Sequence, residues 1–271
     1  MKLNILFIGD IVGAPGMDVV RMWLPALKKK YKTDIIIVNG ENSSDGKGCT
    51  KKEGEELFEL GVDVITGGNH TWDKSQSQEY LKTEPRALRP LNYPRGCYGN
   101  GFYIIENEKA KVGVLNLQGR SFMQMIDCPF RAADWALSKI NEQTKITILD
   151  FHAEATAEKI ALANYLDGKI SMMVGTHTHI QTADERILNN GTAYITDVGM
   201  TGPYDSVIGM KKDAAINRFL YQTPQKYQAA KDEARLSAVF VEIDVDTAKA
   251  NRIERIQIPE FEREKQNTEE T

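Results

Sequence analysis

Residues 3–42, LNILFIGDIVGAPGMDVVRMWLPALKKKYKTDIIIVNGEN, decide the fold. A short apolar run, Leu3 to Ile8, breaks at Gly9-Asp10. A segment with helical spacing follows, Met17 to Tyr31, carrying Val20, Trp23, Leu24 and Leu27, and a second apolar run, Ile35 to Val38, breaks at Asn39-Gly40-Glu41-Asn42. Brief β-branched runs on either side of a helix predict a βαβ unit whose parallel strands are buried on both faces. In such sheets the carboxyl ends of the strands form the functional crevice, so the polar breaks after each run are where chemistry is expected.

Reading outward, the pattern repeats. Val62 to Ile65, Ile146 to Leu149 and Ser171 to Val174 are further buried runs, and Lys51 to Leu60 and Ala155 to Leu166 have helical spacing. Gly99 to Ile105 and Lys111 to Leu117 read as an antiparallel pair, and Arg186 to Leu188 with Ala193 to Thr196 as a hairpin around Asn189-Asn190-Gly191. Ser237 to Val245 and Ile253 to Ile258 alternate apolar and polar residues and close the chain as two more antiparallel strands. The expected architecture is a mixed α/β sandwich in a single domain over residues 1–259. A polar, mostly helical insertion at Met210 to Glu233 is interrupted by Thr223-Pro224, and a charged tail follows at residues 260–271. The insertion reads as a lid, an oligomer contact or a solvated excursion. Its Phe219-Leu220-Tyr221 cluster is large for a helix facing only water.

Across 271 residues, 41% hydrophobic and 27% charged is the balance of a folded globular chain, which excludes disorder throughout. A net charge of −4 supplies no field for a polyanion, so nucleic acid is not expected as the main ligand. Lys28 to Lys30 and Arg86, Arg89 and Arg95 read as solvated basic faces. Cys49, Cys97 and Cys128 are odd in number and widely spaced, which argues against a disulfide framework or a thiolate zinc site and suggests core thiols in a reducing compartment. The first apolar run is too short for a secretory signal, and no run nears the roughly twenty residues of a membrane span. A cytoplasmic protein without a membrane partner is expected.

The chain has only four histidines, His70, His152, His177 and His179, and each lies just past the end of an expected strand. Asp10, Glu41, Asn42 and Asn69 occupy equivalent places. Taken singly, each has an ordinary structural use. Asp10 suits a helix cap or a loop, Asn69 a turn, and His152 a hydrogen-bonded core position. Glu41 and Asn42 are harder to dismiss, because a carboxylate leaving a buried strand needs a partner. His177 and His179, two apart on an extended segment, would point the same way and could serve neighbouring metals. Together the carboxylates, imidazoles and carboxamides form the ligand set of a first-row metal site. The glycine-rich Gly9 to Gly16 lacks the Gly-Lys-Ser/Thr of a P-loop and is not GxGxxG; no GxSxG elbow occurs, and no cysteine has an adjacent histidine.

The ordered set Gly9-Asp10, NGEN (39–42), GGNH (67–70), the lone His152 and GTHTH (175–179) resembles the calcineurin-like metallophosphoesterases. The stretches NGENSSDGKG (39–48), TGGNHTWD (66–73) and TDVGMTGP (196–203) resemble their YmdB-like branch, over roughly residues 1 to 260. The resemblance implies a four-layer α/β/β/α metallophosphoesterase sandwich with mixed sheets. It also implies a homo-oligomer and a dinuclear centre of two divalent or mixed-valence ions, iron or manganese favoured and zinc also accepted. The implied activity is a cyclic-nucleotide phosphodiesterase acting by metal-activated hydroxide, with 2′,3′-cyclic nucleotides favoured as the small substrate. Carried over by motif, Asp10, Glu41 and His179 would hold one ion, with Asn42 beside it. Glu41, Asn69, His152 and His177 would hold the other, so that Glu41 bridges, and His70 would be the catalytic histidine. Two departures from the wider superfamily match the branch: Val12 stands where Asp-x-His has its histidine, and Glu41 stands where a bridging aspartate is usual. Two cations in such a cluster neutralise phosphoryl charge and acidify a water, while a histidine free of metal can protonate the leaving oxygen. A phosphomonoesterase or nuclease on the same centre, and a non-catalytic nucleotide-binding regulator, are the competing readings.

Overall fold

The computed structural model describes residues 1–226 and 228–259. The expected tail at 260–271 lies outside the described residues. Strand β1 (Lys2–Ile8), helix α1 (Gly13–Tyr31) and strand β2 (Ile35–Asn39) form the opening βαβ unit, with β1 and β2 parallel from Ile5↔Ile35 to Ile8↔Val38. Helix α1 buries Met17, Val20, Leu24, Leu27 and Tyr31 at i, i+3 and i+4 spacing, and it ends where Lys32 turns left-handed at φ 48. Helix α2 (Lys51–Glu59) starts with a Thr50/Glu53 capping box, and β3 (Val64–Thr66) continues the parallel set. Then follow α3 (Ser75–Thr83), the antiparallel β4 (Phe102–Glu106) and β5 (Lys111–Gln118), α4 (Pro129–Ile140), β6 (Thr147–His152), α5 (Thr156–Leu166) and β7 (Met172–Thr176). The chain continues with β8 (Arg186–Ile187), β9 (Ala193–Ile195), β10 (Gly202–Pro203), α6 (Lys212–Tyr221), β11 (Ala234–Asp244) and β12 (Ala250–Ile258).

The strands form two mixed sheets. One runs β10-β11-β1-β2-β3 with β12 on β11; the other runs β4-β5-β6-β7-β9-β8. Alternation along each strand sorts side chains between layers. Leu3, Ile5, Phe7, Ile35 and Ile37 point inward to meet Val112, Val114, Ile148, Met172 and Val174 of the second sheet. Their neighbours Leu6, Ile8, Ile36 and Val38 point outward under α1 and α2. On the far side, Leu115, Leu117, Leu149 and Phe151 pack beneath Leu137 and Ile140 of α4 and Leu162 and Leu166 of α5. Three apolar layers between four layers of structure is the α/β/β/α sandwich, and the strands read as continuous apolar runs because both their faces are covered.

Several expectations need correction. The insertion is helical only over α6, which ends at Tyr221 where Gln222 adopts a left-handed cap at φ 53, before Thr223-Pro224 is reached. Helices α3 and α4 went unread. In α3 only Ser77, Tyr80 and Leu81 are buried, too few to mark a face, whereas α4 shows the legible spacing Ala133, Ala136, Leu137 and Ile140. Cys49, Cys97 and Cys128 are each only half-buried, and of the three Cys49 packs against the apolar layer under α1 and α2. The three arginines do not form one solvated face. Arg86 pairs with Glu84, while Arg89 is buried at 8% exposure with its guanidinium on the carbonyls of Pro90, Leu91 and Tyr98.

Candidate metal centre

The carboxyl ends of the parallel strands from both sheets meet at one edge of the sandwich. Asp10 lies two residues past β1, Glu41 and Asn42 follow β2, Asn69 and His70 follow β3, His152 is the last residue of β6, and His177 and His179 follow β7. All the residues expected at the site are therefore brought together by topology. Asp10, Glu41, Asn42 and His152 are buried, at 0, 2, 3 and 0% exposure.

The innermost atoms crowd about one point. The Nε2 of His152 lies 2.9 Å from Glu41 Oε1, 3.0 Å from Asn69 Oδ1 and 3.0 Å from His177 Nδ1. A single ring N–H satisfies one acceptor, whereas a cation at that position satisfies all of them. Each histidine also has its outer nitrogen engaged. His152 Nδ1 faces Thr176 Oγ1 at 2.9 Å, and that hydroxyl donates to Asp150 Oδ1 at 2.7 Å, so the imidazole donates from Nδ1 and turns Nε2 toward the cluster. His177 Nε2 meets Glu154 Oε2 at 3.1 Å and His179 Nδ1 meets the Ile208 carbonyl at 2.9 Å, which leaves His177 Nδ1 and His179 Nε2 inward. Outer N–H groups held by carboxylates, carbonyls and hydroxyls are the usual support of metal-ligating imidazoles.

Around the second half of the cluster, Asp10 Oδ1 is buried without a hydrogen-bond partner and lies 4.0 Å from His179 Nε2 and 3.8 Å from His152 Nδ1. An orphaned buried carboxylate oxygen is costly unless a cation meets it. The Asn42 amide stands 3.2 Å from Glu41 Oε1 and 3.3 Å from His179 Nε2, where turning it over offers an oxygen. Gly68 keeps the cradle open, because a Cβ there would stand 2.2 Å from Glu41 Oε2 and 2.4 Å from His152 Nε2. The residues present fit a bound metal: Glu41, His152 and His177 offer ligand atoms within 4.8 Å of one another, with Asn69 beside them, and Asp10, Asn42 and His179 stand around the adjoining space.

The electrostatics divide the cluster: Glu41, His177 and His179 are held in forms that can ligate, whereas Asp10 and His152 are shifted toward their protonated forms. Burial works to raise the Glu41 carboxyl, but the charge and hydrogen bond of His152 outweigh it and hold Glu41 at about 2. Burial and the neighbouring His152 push His177 down to about 3, and burial lowers His179 as well, so both stay neutral. Burial raises Asp10 well above the carboxylate range, as expected for an anion without a counter-ion. For His152, burial is outweighed by Glu41, Asp10 and Asp150, which raise it to about 9; the proton it holds occupies the place of a cation.

His70 stands apart from this crowd. It is 35% exposed, its backbone N–H donates to Glu41 Oε2 at 3.1 Å, and its Nδ1 lies 2.9 Å from Asp73 Oδ2, which is itself 3.2 Å from Lys47 Nζ. Asp73 thus directs the other ring nitrogen, Nε2, outward. The extended segment expected for His177 and His179 is not found. Both have left-handed backbones, at φ 100 and φ 66, because the chain turns sharply at the end of β7. Such conformations cost on the order of 1–3 kcal/mol each and persist where surroundings impose them. Here the residue between them is pinned, since Thr178 N–H donates to Asp197 Oδ2 at 3.1 Å, and Lys159 Nζ holds that carboxylate at 2.7 Å in a fully buried pair.

Asp73, Asp150, Glu154, Lys159 and Asp197 were not singled out from sequence. Asp150 carried a signal, because it lies two residues before His152 on the same face of β6. Asp197 sits in the TDVGMTGP stretch, whereas Lys159 and Glu154 carried none.

A family model described as YmdB-like protein matches residues 6–256. A relative from Bacillus subtilis, named 2′,3′-cyclic-nucleotide 2′-phosphodiesterase, is 48% identical over 256 residues, which cover 94% of this chain and 97% of the relative. The crystal structure of a novel phosphatase from Mycoplasma pneumoniae superposes with a TM-score of 0.90 at 37% identity, covering 95% of this chain and 94% of that one. A hypothetical protein from Thermus thermophilus gives 0.88 at 40% identity, covering 94% and 98%.

Proposed function

The chain belongs to the YmdB-like family, and from that premise we propose that it is a metal-dependent phosphodiesterase opening 2′,3′-cyclic nucleotides. The observation that carries the reading is the convergence of Glu41, Asn69 and His177 on the single nitrogen of His152, within reach of a histidine, His70, that is left out of the cluster. When bound, a pair of divalent or mixed-valence ions supplies charge neutralisation at the phosphoryl oxygens and a water of lowered pKa. Iron or manganese suits the mixed nitrogen and oxygen donors, and zinc is also compatible with them.

The chain's own residues do the rest. Asp10, Glu41, Asn42, Asn69, His152, His177 and His179 orient the centre, and the outer contacts through Thr176, Glu154 and Ile208 fix which nitrogen each imidazole presents. His70, aligned by Asp73, holds a proton at Nε2 for the leaving ribose oxygen. Water adds to phosphorus and gives up one proton to solvent, the bond from phosphorus to the 2′ oxygen breaks, and that oxygen takes the His70 proton, which solvent restores, giving a nucleoside 3′-monophosphate.

We take Phe219, Leu220 and Tyr221, at 73, 67 and 66% exposure, as a contact between copies of this chain. No described helix is long and apolar enough to cross a membrane, and a cytoplasmic setting suits three unpaired cysteines. Incubating the metal-loaded protein with 2′,3′-cyclic AMP, a nucleoside monophosphate and an RNA oligomer tests the reading. Turnover of the cyclic diester alone to the 3′-monophosphate is expected. Faster release of phosphate from the monoester, faster cutting of RNA, or tight binding of the cyclic nucleotide without turnover would replace it.

A further inference from the structure

A cavity of about 600 Å³ lies on the second sheet's side of the molecule, lined by the Arg89 to Gly96 loop and the first turns of α4. Its lining includes Tyr93, whose ring packs edge-on to Trp72 at 5.5 Å and whose hydroxyl meets Gln118 Oε1 at 3.1 Å, and none of the residues of the metal cluster. Three guanidiniums reach this cavity, from Arg89, Arg95 and Arg131, against one carboxylate, Asp127. Arg89 is the informative one. It is buried, its Nε and Nη1 donate only to backbone carbonyls, and its Nη2 has no partner among the described residues. Burial lowers its pKa, the group acting against that is the Cys97 thiol, and no carboxylate pairs with it among the described residues. Buried charges are ordinarily paired, and a buried guanidinium that opens onto a cavity without a protein anion is a place for an anionic ligand.

Two further features point the same way. Helix α4 begins beside the cavity at Cys128 with no side-chain cap and no acidic residue in its first turn, so its backbone N–H groups open toward the cavity with Asp127 as the one neighbouring carboxylate. Arg131 and Trp135, one turn apart on α4, both face the cavity, and the indole is 51% exposed. Planar guanidiniums match phosphate oxygens in pairs, and a half-exposed indole beside them offers a surface for a flat ring.

We propose that this cavity is a second ligand site, distinct from the metal centre, which binds a phosphate monoester carrying an aromatic base. Arg89, Arg95 and Arg131 hold the phosphate and Trp135 stacks on the ring. The site does not depend on the reaction proposed above, and its primary readout is protection of a cysteine rather than turnover.

Cys128 lines the cavity and reports on it directly. The metal-loaded protein is alkylated with iodoacetamide, and the modification of Cys128 is followed by mass spectrometry with adenosine 3′-monophosphate or adenosine present. The monophosphate at about ten times its Kd is expected to slow Cys128 alkylation about tenfold, as occupancy dictates. Adenosine alone should not. Arg131→Glu and, separately, Arg95→Glu should abolish the protection while leaving hydrolysis of bis(p-nitrophenyl) phosphate unchanged. An unprotected Cys128, which would mean binding confined to the metal centre, overturns the proposal. So does equal protection by adenosine, or protection that survives both charge reversals.

Discussion

His70 is where a single side chain separates chemistry from metal binding. Asn69, its neighbour, points at His152 Nε2 from 3.0 Å, while His70 is turned away and tied to Asp73. His70→Ala should therefore leave metal content near that of the parent and lower kcat by about 10²–10⁴-fold, the range of a lost general acid. A diester with a p-nitrophenolate leaving group should be partly spared, since that group departs without a proton. Loss of metal, or equal losses on activated and natural diesters, would assign His70 to metal or phosphate binding instead. Asp150 acts one contact further out. It accepts hydrogen bonds from Asn39 Nδ2 at 2.9 Å, Thr66 Oγ1 at 2.5 Å and Thr176 Oγ1 at 2.7 Å, and Thr176 in turn orients His152. Asp150→Asn replaces one acceptor oxygen with a donor facing donors, and about a 10–100-fold loss of metal affinity is expected by titration of the stripped protein. Unchanged affinity would show that the network supports only the fold.

At the scale of elements, the site is a set of loops whose positions follow from strand order. What was legible in the sequence was the run-then-polar-break pattern of β1, β2, β3, β6 and β7, because strands covered on both faces are continuously apolar and their ends are abrupt. Asp10, Glu41, Asn42, Asn69, His70, His152, His177 and His179 were read as the candidate site from that pattern and from the order of the motifs, and the fold brings them to one edge of the sandwich. What was not legible depends on contacts between distant segments. Lys159 on α5 reads as an ordinary helix surface residue until Asp197 is placed 2.7 Å away, and the left-handed turns at His177 and His179 need the Asp197 hydrogen bond to Thr178 to be understood. Helix α6 is tied to the site through Ile208, which precedes it and receives the His179 hydrogen bond. Replacing Phe219, Leu220 and Tyr221 together with polar residues is expected to lower the mass measured by light scattering. An unchanged mass would remove α6 from the contact between copies.

For the whole molecule, two sheets packed face to face leave one edge where both sets of strand ends are exposed to each other, and the buried polar groups gather there. Glu41 is the residue on which the account turns. It touches His152 through Oε1 and the His70 backbone through Oε2, and it stands beside Asn42, so it lies between the two proposed ion positions. A carboxylate shared by two cations cannot be removed without weakening both. The most direct test is elemental analysis of the Glu41→Ala protein beside the parent, with folding checked by circular dichroism. Two ions per chain in the parent and fewer than one in the variant are predicted, whereas a folded variant that keeps two ions per chain would contradict the bridging centre.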